Sequence, residues 1–103
     1  MNTRRLGFSF LYFTPRVREE HLPWLARLAH YGYDGAELPV VDATDAELAA
    51  MRRALDQEGL NATAVGFATA AANPIDPDPA IRRAAVEHLA RLAEKAAVLG
   101  AKV

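Results

Sequence analysis

One carboxylate sits where a carboxylate is costly. In Gly35-Ala36-Glu37-Leu38-Pro39-Val40 the neighbours of Glu37 are small or apolar. That is the make-up of a buried strand, and an ionisable side chain within it needs a partner or a task. Glu37 can project from the strand end toward a ligand; equally, it can answer a backbone N–H or an arginine inside the sheet. Tyr12 and Phe13 close an aromatic run and can stack on a ligand such as a sugar ring or serve as core. Gly66, near the exit of a third apolar run, either admits a ligand close to the backbone or permits a bend. His21, His30 and His88 offer little, since none has a second histidine or a carboxylate at metal-ligand spacing. The chain has no cysteine, which excludes disulfides, thiolate nucleophiles and thiolate metal sites. No phosphate-binding glycine loop, nucleophile elbow or Ser-His-Asp order can be read.

The elements that must position these residues are three helix-to-strand returns. Gly32, Gly59 and Gly100 each follow a helical run and precede an apolar one, where left-handed backbone costs glycine almost nothing. A first strand is predicted over residues 6–13, bounded by Arg5 and Thr14-Pro15. A helix over 23–31 follows, with Pro23 in its first turn and Leu22, Leu25, Leu28 and Ala29 on its inward face. The second strand covers 35–40. Thr44 with Glu47 three residues on is a capping box, so the second helix starts at Asp45, buries Leu48, Met51 and Leu55, and stops at Gly59. The third strand covers 62–67. Residues 68–77 form a loop, and Asp78 caps a long third helix that starts at Pro79 and ends near Leu99. Ile81, Ala85, Leu89, Leu92, Ala96 and Leu99 line one side of it. Ala101-Lys102-Val103 reads as the opening of a fourth strand.

Strand and helix alternating three times predict an α/β fold with right-handed crossovers and parallel strands. Ligands of such folds lie beyond the carboxyl ends of the strands. The segments after Phe10, Glu37 and Gly66 are therefore the expected functional edge, and the glycine returns read as stability.

Bulk properties narrow the partners. At 103 residues the chain is one domain at most, and 51% apolar with 24% charged residues is ordinary for a globular protein. Lys and Arg total 12 against 13 Asp and Glu, so no global field attracts nucleic acid or acidic membranes. The pairs Arg4-Arg5, Arg52-Arg53 and Arg82-Arg83 read as solvated surface. No run approaches the ~20 apolar residues of a membrane span. Residues 6–12 lack a signal-peptide cleavage site and read as buried strand. A cytoplasmic location is the expectation.

Several of these phrases together resemble a known family. Leu6-Gly7-Phe8-Ser9-Phe10 with Tyr12-Phe13, Gly32-Tyr33-Asp34-Gly35-Ala36-Glu37-Leu38-Pro39, Gly59-Leu60 leading into Thr63-Ala64-Val65-Gly66, and Asn73-Pro74-Ile75-Asp76-Pro77-Asp78-Pro79 through Arg82 resemble the start of the D-tagatose/D-psicose 3-epimerase family. That family belongs to the sugar isomerase/epimerase group built on a xylose isomerase-like TIM barrel. The resemblance implies a ketose substrate, a divalent metal (manganese, cobalt or magnesium) that holds two sugar oxygens, and an enediolate flanked by two glutamates. Those glutamates and the metal ligands belong to the second half of the barrel, so the resemblance assigns no catalytic or metal-binding residue here. It places the family's substrate-contacting aromatic at or next to Ser9, where this chain departs from the pattern. Tyr12 and Phe13 match the aromatic pair that follows, Gly66 matches a strand-three glycine close to substrate, and Glu37 matches a carboxylate common at its strand.

A TIM barrel takes eight strand–helix units and ~250 residues. The expectation is that residues 1–103 are a partial xylose isomerase-like barrel domain of three units and the start of a fourth strand, inactive alone. An open parallel sheet of this size exposes an edge and apolar helix faces, so the chain by itself is expected to self-associate or stay partly molten. Two alternatives differ in class: a stand-alone α/β binding or assembly module, and the same barrel with hydroxypyruvate isomerase or inosose dehydratase chemistry.

Overall fold

The computed structural model describes residues 4–103. Three parallel strands, β1 (Gly7–Ser9), β2 (Gly35–Pro39) and β3 (Asn61–Val65), lie side by side in that order. They alternate with α1 (Pro23–His30), α2 (Asp45–Glu58) and α3 (Pro79–Leu99). Parallel neighbours need a crossover connection, which α1 provides between β1 and β2 and α2 between β2 and β3.

Local signals set the helix ends. The Thr44 hydroxyl accepts the Glu47 N–H at 3.1 Å while Glu47 Oε1 accepts the Thr44 N–H at 3.0 Å, closing the capping box. Asp78 Oδ1 accepts the Ala80 N–H at 2.9 Å, and Pro79 takes the first helical position. Gly32, Gly59 and Gly100 all carry positive φ, as the three returns require.

Burial gathers the helices on one face of the sheet. Ala36, Leu38 and Val40 share a core with Leu25 and Leu28 of α1, Leu48, Met51 and Leu55 of α2, and Leu92 and Leu99 of α3. Side chains alternate faces along a strand, so Gly35, Glu37 and Pro39 point the other way. Truncating fully buried Leu38 to alanine would cost about 2–5 kcal/mol.

All three strands differ from expectation in their bounds, and so does one helix face. The first strand stops at Ser9 instead of running to residue 13. Ser9 Oγ accepts the Leu11 N–H at 3.3 Å, and the Phe10 carbonyl accepts the N–H groups of Phe13 and Thr14, both at 2.9 Å. The chain curls into a single 3₁₀ turn over Phe10–Tyr12 and buries Phe10 completely. The second strand ends at Pro39, although the Val40 N–H still bonds the Val65 carbonyl at 3.1 Å. The third begins at Asn61 and ends at Val65. On α3 only Ala85, Leu92 and Leu99 are buried, while Leu89 is 50% exposed, because α2 and β3 cover one flank of that helix.

The amino ends of the strands are stitched by Asp34. Its Oδ2 accepts the Leu6 N–H at 2.8 Å, its own N–H donates to the Leu6 carbonyl at 2.8 Å, and its carbonyl accepts the Asn61 N–H at 2.9 Å. Gly35 follows where a Cβ would stand 2.7 Å from the Asn61 carbonyl oxygen. The Ala64 N–H donates to the Val103 carbonyl at 2.8 Å, which places Val103 against the free side of β3. Among the described residues no helix is long and apolar enough to cross a membrane.

Candidate functional site

Register brings three polar side chains into one row. Ser9 pairs with Glu37 and Glu37 with Thr63, so the three lie in adjacent strands about 4.8 Å apart. They stand on the face opposite Ala36 and Leu38, where no helix packs. Glu37 is partly buried and makes no hydrogen bond or ion pair with another described residue. Ser9 Oγ is engaged as an acceptor by Leu11, which leaves its proton to donate; Glu37 offers two acceptor oxygens; Thr63 can do either. A donor–acceptor–donor row of this kind suits neighbouring hydroxyls of a polyol. A recess of about 690 Å³ touches all three residues, but most of its lining, Leu6, Gly35, Arg52, Leu60, Asn61 and Gly100, belongs to the amino ends of the strands and the helix ends that lead into them.

Thr63 escapes a reading of the sequence, which takes it as a β-branched strand former. Its signal is the alternation of Asn61 and Thr63 with Ala62 and Ala64, and only the partner strand turns that alternation into a place beside Glu37.

The other expected site residues have contacts of their own. Phe8 shares the face of Ala36 by register. The rings of Tyr12 and Phe13 pack on it at 5.9 and 5.4 Å. Phe13 also lies 5.2 Å from Trp24, itself capped by Arg27 at 4.5 Å. The pair thus belongs to an aromatic cluster with Phe8 and Trp24, and Tyr12 is 83% exposed. Gly66 has a local packing reason: a Cβ there would meet Leu92 Cδ1 of α3 at 2.6 Å.

Each strand-to-helix connection is braced by a side chain from further along the chain. Arg16 forks onto Glu47, with Nε 3.1 and 3.2 Å from the two carboxylate oxygens and Nη2 3.0 Å from Oε1. This ties the connection after β1 to the start of α2. Lys95 donates to the Val41 carbonyl at 2.6 Å, and His88 Nε2 lies 2.9 Å from the Phe67 carbonyl. The Thr44 N–H and the Arg16 guanidinium together hold the Glu47 carboxyl down at about 2, against an ordinary 4.5.

Histidine here is structural. His21 Nδ1 accepts the Arg18 N–H at 2.9 Å, and the His30 ring packs on Tyr31. Among the described residues no three His, Cys, Asp or Glu side chains converge to hold a metal ion. The row supplies a single carboxylate, so these residues do not fit the divalent metal that the resemblance implies. A second recess of about 720 Å³ runs between α1 and α2 past Leu25 and Met51. It lies away from the polar row.

Comparison with known proteins places this geometry. The xylose isomerase-like TIM barrel family matches residues 25–103. A D-psicose 3-epimerase solved in the presence of D-fructose is 24% identical, with a TM-score of 0.79 over 95% of this chain and 35% of its own. The D-psicose 3-epimerase from Clostridium cellulolyticum H10 solved with D-tagatose is 20% identical, with a TM-score of 0.78 over 94% and 35%. The D-allulose 3-epimerase from Methylomonas sp. in complex with D-allulose is 26% identical, with a TM-score of 0.76 over 95% and 35%. The chain thus spans 35% of the length of each, and its three strands and helices match the amino-terminal part of a TIM barrel. No curated protein matches the sequence.

Proposed function

This chain belongs to the xylose isomerase-like TIM barrel family, and from that premise we propose that it forms part of the wall and sugar-contacting surface of a sugar isomerase/epimerase, a ketose 3-epimerase above all. The observation that carries the reading is the Ser9–Glu37–Thr63 row on the helix-free face. Hydroxyl, carboxylate and hydroxyl at strand spacing can donate to and accept from successive sugar hydroxyls, and a carboxylate without a partner among the described residues keeps its acceptors for a ligand. The similarity to structures determined with D-fructose, D-tagatose and D-allulose supports a ketose as the ligand. Metal and proton-transfer chemistry finds no ligand set among the described residues, so the role proposed for this chain is to bind and orient. The full activity and a cytoplasmic setting are part of the same proposal.

The test is titration of the isotope-labelled chain with D-allulose and D-fructose, followed by amide NMR. Shifts should centre on Ser9, Glu37 and Thr63 with dissociation constants of about 1 mM or weaker, and Glu37→Ala should abolish them. With manganese present the chain alone should turn over neither sugar. Shifts confined to the α1–α2 recess, or turnover by this chain alone, would sink the reading.

A second reading, a stand-alone assembly module, draws on one observation. Leu6, Tyr12, Trp24 and Tyr31 are exposed near β1, which pairs on one side only among the described residues. Such a surface favours association with further chain. In sedimentation a discrete symmetric dimer whose formation is unaffected by D-allulose favours the module.

A further inference from the structure

The recess between α1 and α2 has an apolar floor of Leu22, Leu25, Ala26, Ala50, Met51 and Ala54. Ala46, Ala50 and Ala54 stand four residues apart along α2 and all line it. They form one ridge of small side chains, which leaves room for another helix to approach. The free margins of the sheet are the far sides of β1 and β3. A strand–helix unit added at either margin leaves the seam between α1 and α2 open.

The charges around the recess bear on what fits there. The connection after β1, tied to the start of α2 by Arg16, brings Arg18 and Glu19 to one end. The last turns of α2 bring Arg53 and Glu58 toward the other. Among the described residues none of these four is in an ion pair. Glu47, the remaining charge on the lining, is held by Arg16. Each end thus presents one cation and one anion, a balance that draws in neither a strongly acidic nor a strongly basic partner. A second copy turned end for end meets both ends with complementary sign: Arg18 faces Glu58, and Glu19 faces Arg53. A two-fold axis through Ala50 achieves this and sets Ala46 against Ala54 of the second copy. Such a contact closes on itself and does not grow into a fibre.

We propose that the α1–α2 recess is the interface of a two-fold symmetric dimer, occupied by α2 of a second copy running antiparallel. The proposal is independent of the ketose reading.

Sedimentation of the chain at several concentrations, with and without charge reversal, tests it. Wild type should show a monomer–dimer equilibrium with a dissociation constant of about 10–100 μM. Arg18→Glu and Glu58→Arg should each weaken it about tenfold, since a two-fold contact repeats every substitution. The double variant restores opposite signs and should return to within about twofold of wild type. The chain has no cysteine, so a single introduced thiol maps the contact independently. In Ala50→Cys the axis brings two thiols within disulfide reach; oxidation should link the copies about tenfold faster than in Asp56→Cys, on another flank of α2. A double variant as weak as the single ones, or equal rates of linking, overturns the antiparallel pairing. A wild type that stays monomeric at about 1 mM overturns the interface. Association that Ala50→Arg leaves intact assigns the contact to the exposed residues near β1 and overturns it too.

Discussion

The two edges of the sheet are held by different means. At the amino edge the bonds are largely backbone: Asp34 joins Leu6 to Asn61, and Gly35 lets two strands approach with no room for a Cβ. At the carboxyl edge the strands end early, and helix side chains catch the connections: Glu47 holds Arg16, Lys95 holds Val41, His88 meets Phe67, and Arg82 holds the proline segment just before its own helix. A backbone seam ties register to a few small residues. Side-chain braces leave the connections themselves free to differ in length and composition, as an edge that meets ligands requires. The backbone seam and the side-chain braces thus lie at opposite ends of the same strands.

Alanine at two glycines gives the widest separation. Gly35→Ala drives a Cβ to 2.7 Å from a backbone oxygen of β3. The strands themselves must move, at about 3 kcal/mol. Gly66→Ala brings a Cβ to 2.6 Å from Leu92 Cδ1, the far end of a side chain that can turn aside, at about 1 kcal/mol or less. Urea midpoints of the two variants measure the difference. Equal losses would erase the distinction between the edges.

The glycine returns at the amino edge and all three helices are legible in the sequence because their signals are local, whereas the Asp34 stitch, 28 positions from Leu6, is not. Thr44 with Glu47, Asp78 with Pro79, and the three glycine returns each lie within a few residues of what they control. The carboxyl edge is not legible in that way. Arg16 meets Glu47 across 31 positions and Lys95 meets Val41 across 54, and neither pairing follows any period. The same holds for the site: Glu37 stands out by composition, but its place beside Ser9 and Thr63 depends on register between strands. The shortened first strand has a subtler cause. Ser9 and Phe10 have the composition of a strand, and the turn they make depends on a hydroxyl accepting from Leu11 and on a pocket for the Phe10 ring.

Asp34 sharpens the comparison at intermediate cost. Asp34→Ala leaves the Leu6 N–H without its carboxylate acceptor, which should cost about 1–2 kcal/mol. Asp34→Asn keeps a side-chain oxygen and should cost less than half of that. Exchange at the Leu6 amide should rise in the alanine variant before any change at Lys95 or His88. Loss of protection at both edges together would mean that they unfold as a unit.

The smallest expected effect concerns acid. The Glu47 carboxyl lies at about 2 in the folded chain, against 4.5 when unconstrained, chiefly through the Thr44 backbone N–H and then the Arg16 guanidinium. A carboxyl lowered by folding binds its proton more weakly in the native state, so it contributes stability above pH 4.5. That contribution fades as pH falls through the interval and is gone below about 2. Arg16 is about a third exposed, and solvent screening holds the contribution to about 1 kcal/mol. Glu47→Gln keeps an oxygen for Thr44 but neither titrates nor pairs with Arg16. The stability gap between wild type and Glu47→Gln, read from urea midpoints, should therefore be full near neutrality and close as pH drops toward 2. Arg16→Ala should show a smaller gap of the same sign that closes over a narrower part of the interval, because the Thr44 N–H still lowers the carboxyl. A gap that does not vary with pH would mean that the brace at the carboxyl edge acts by shape alone, and the contrast with the backbone seam at the amino edge would then rest on the glycines.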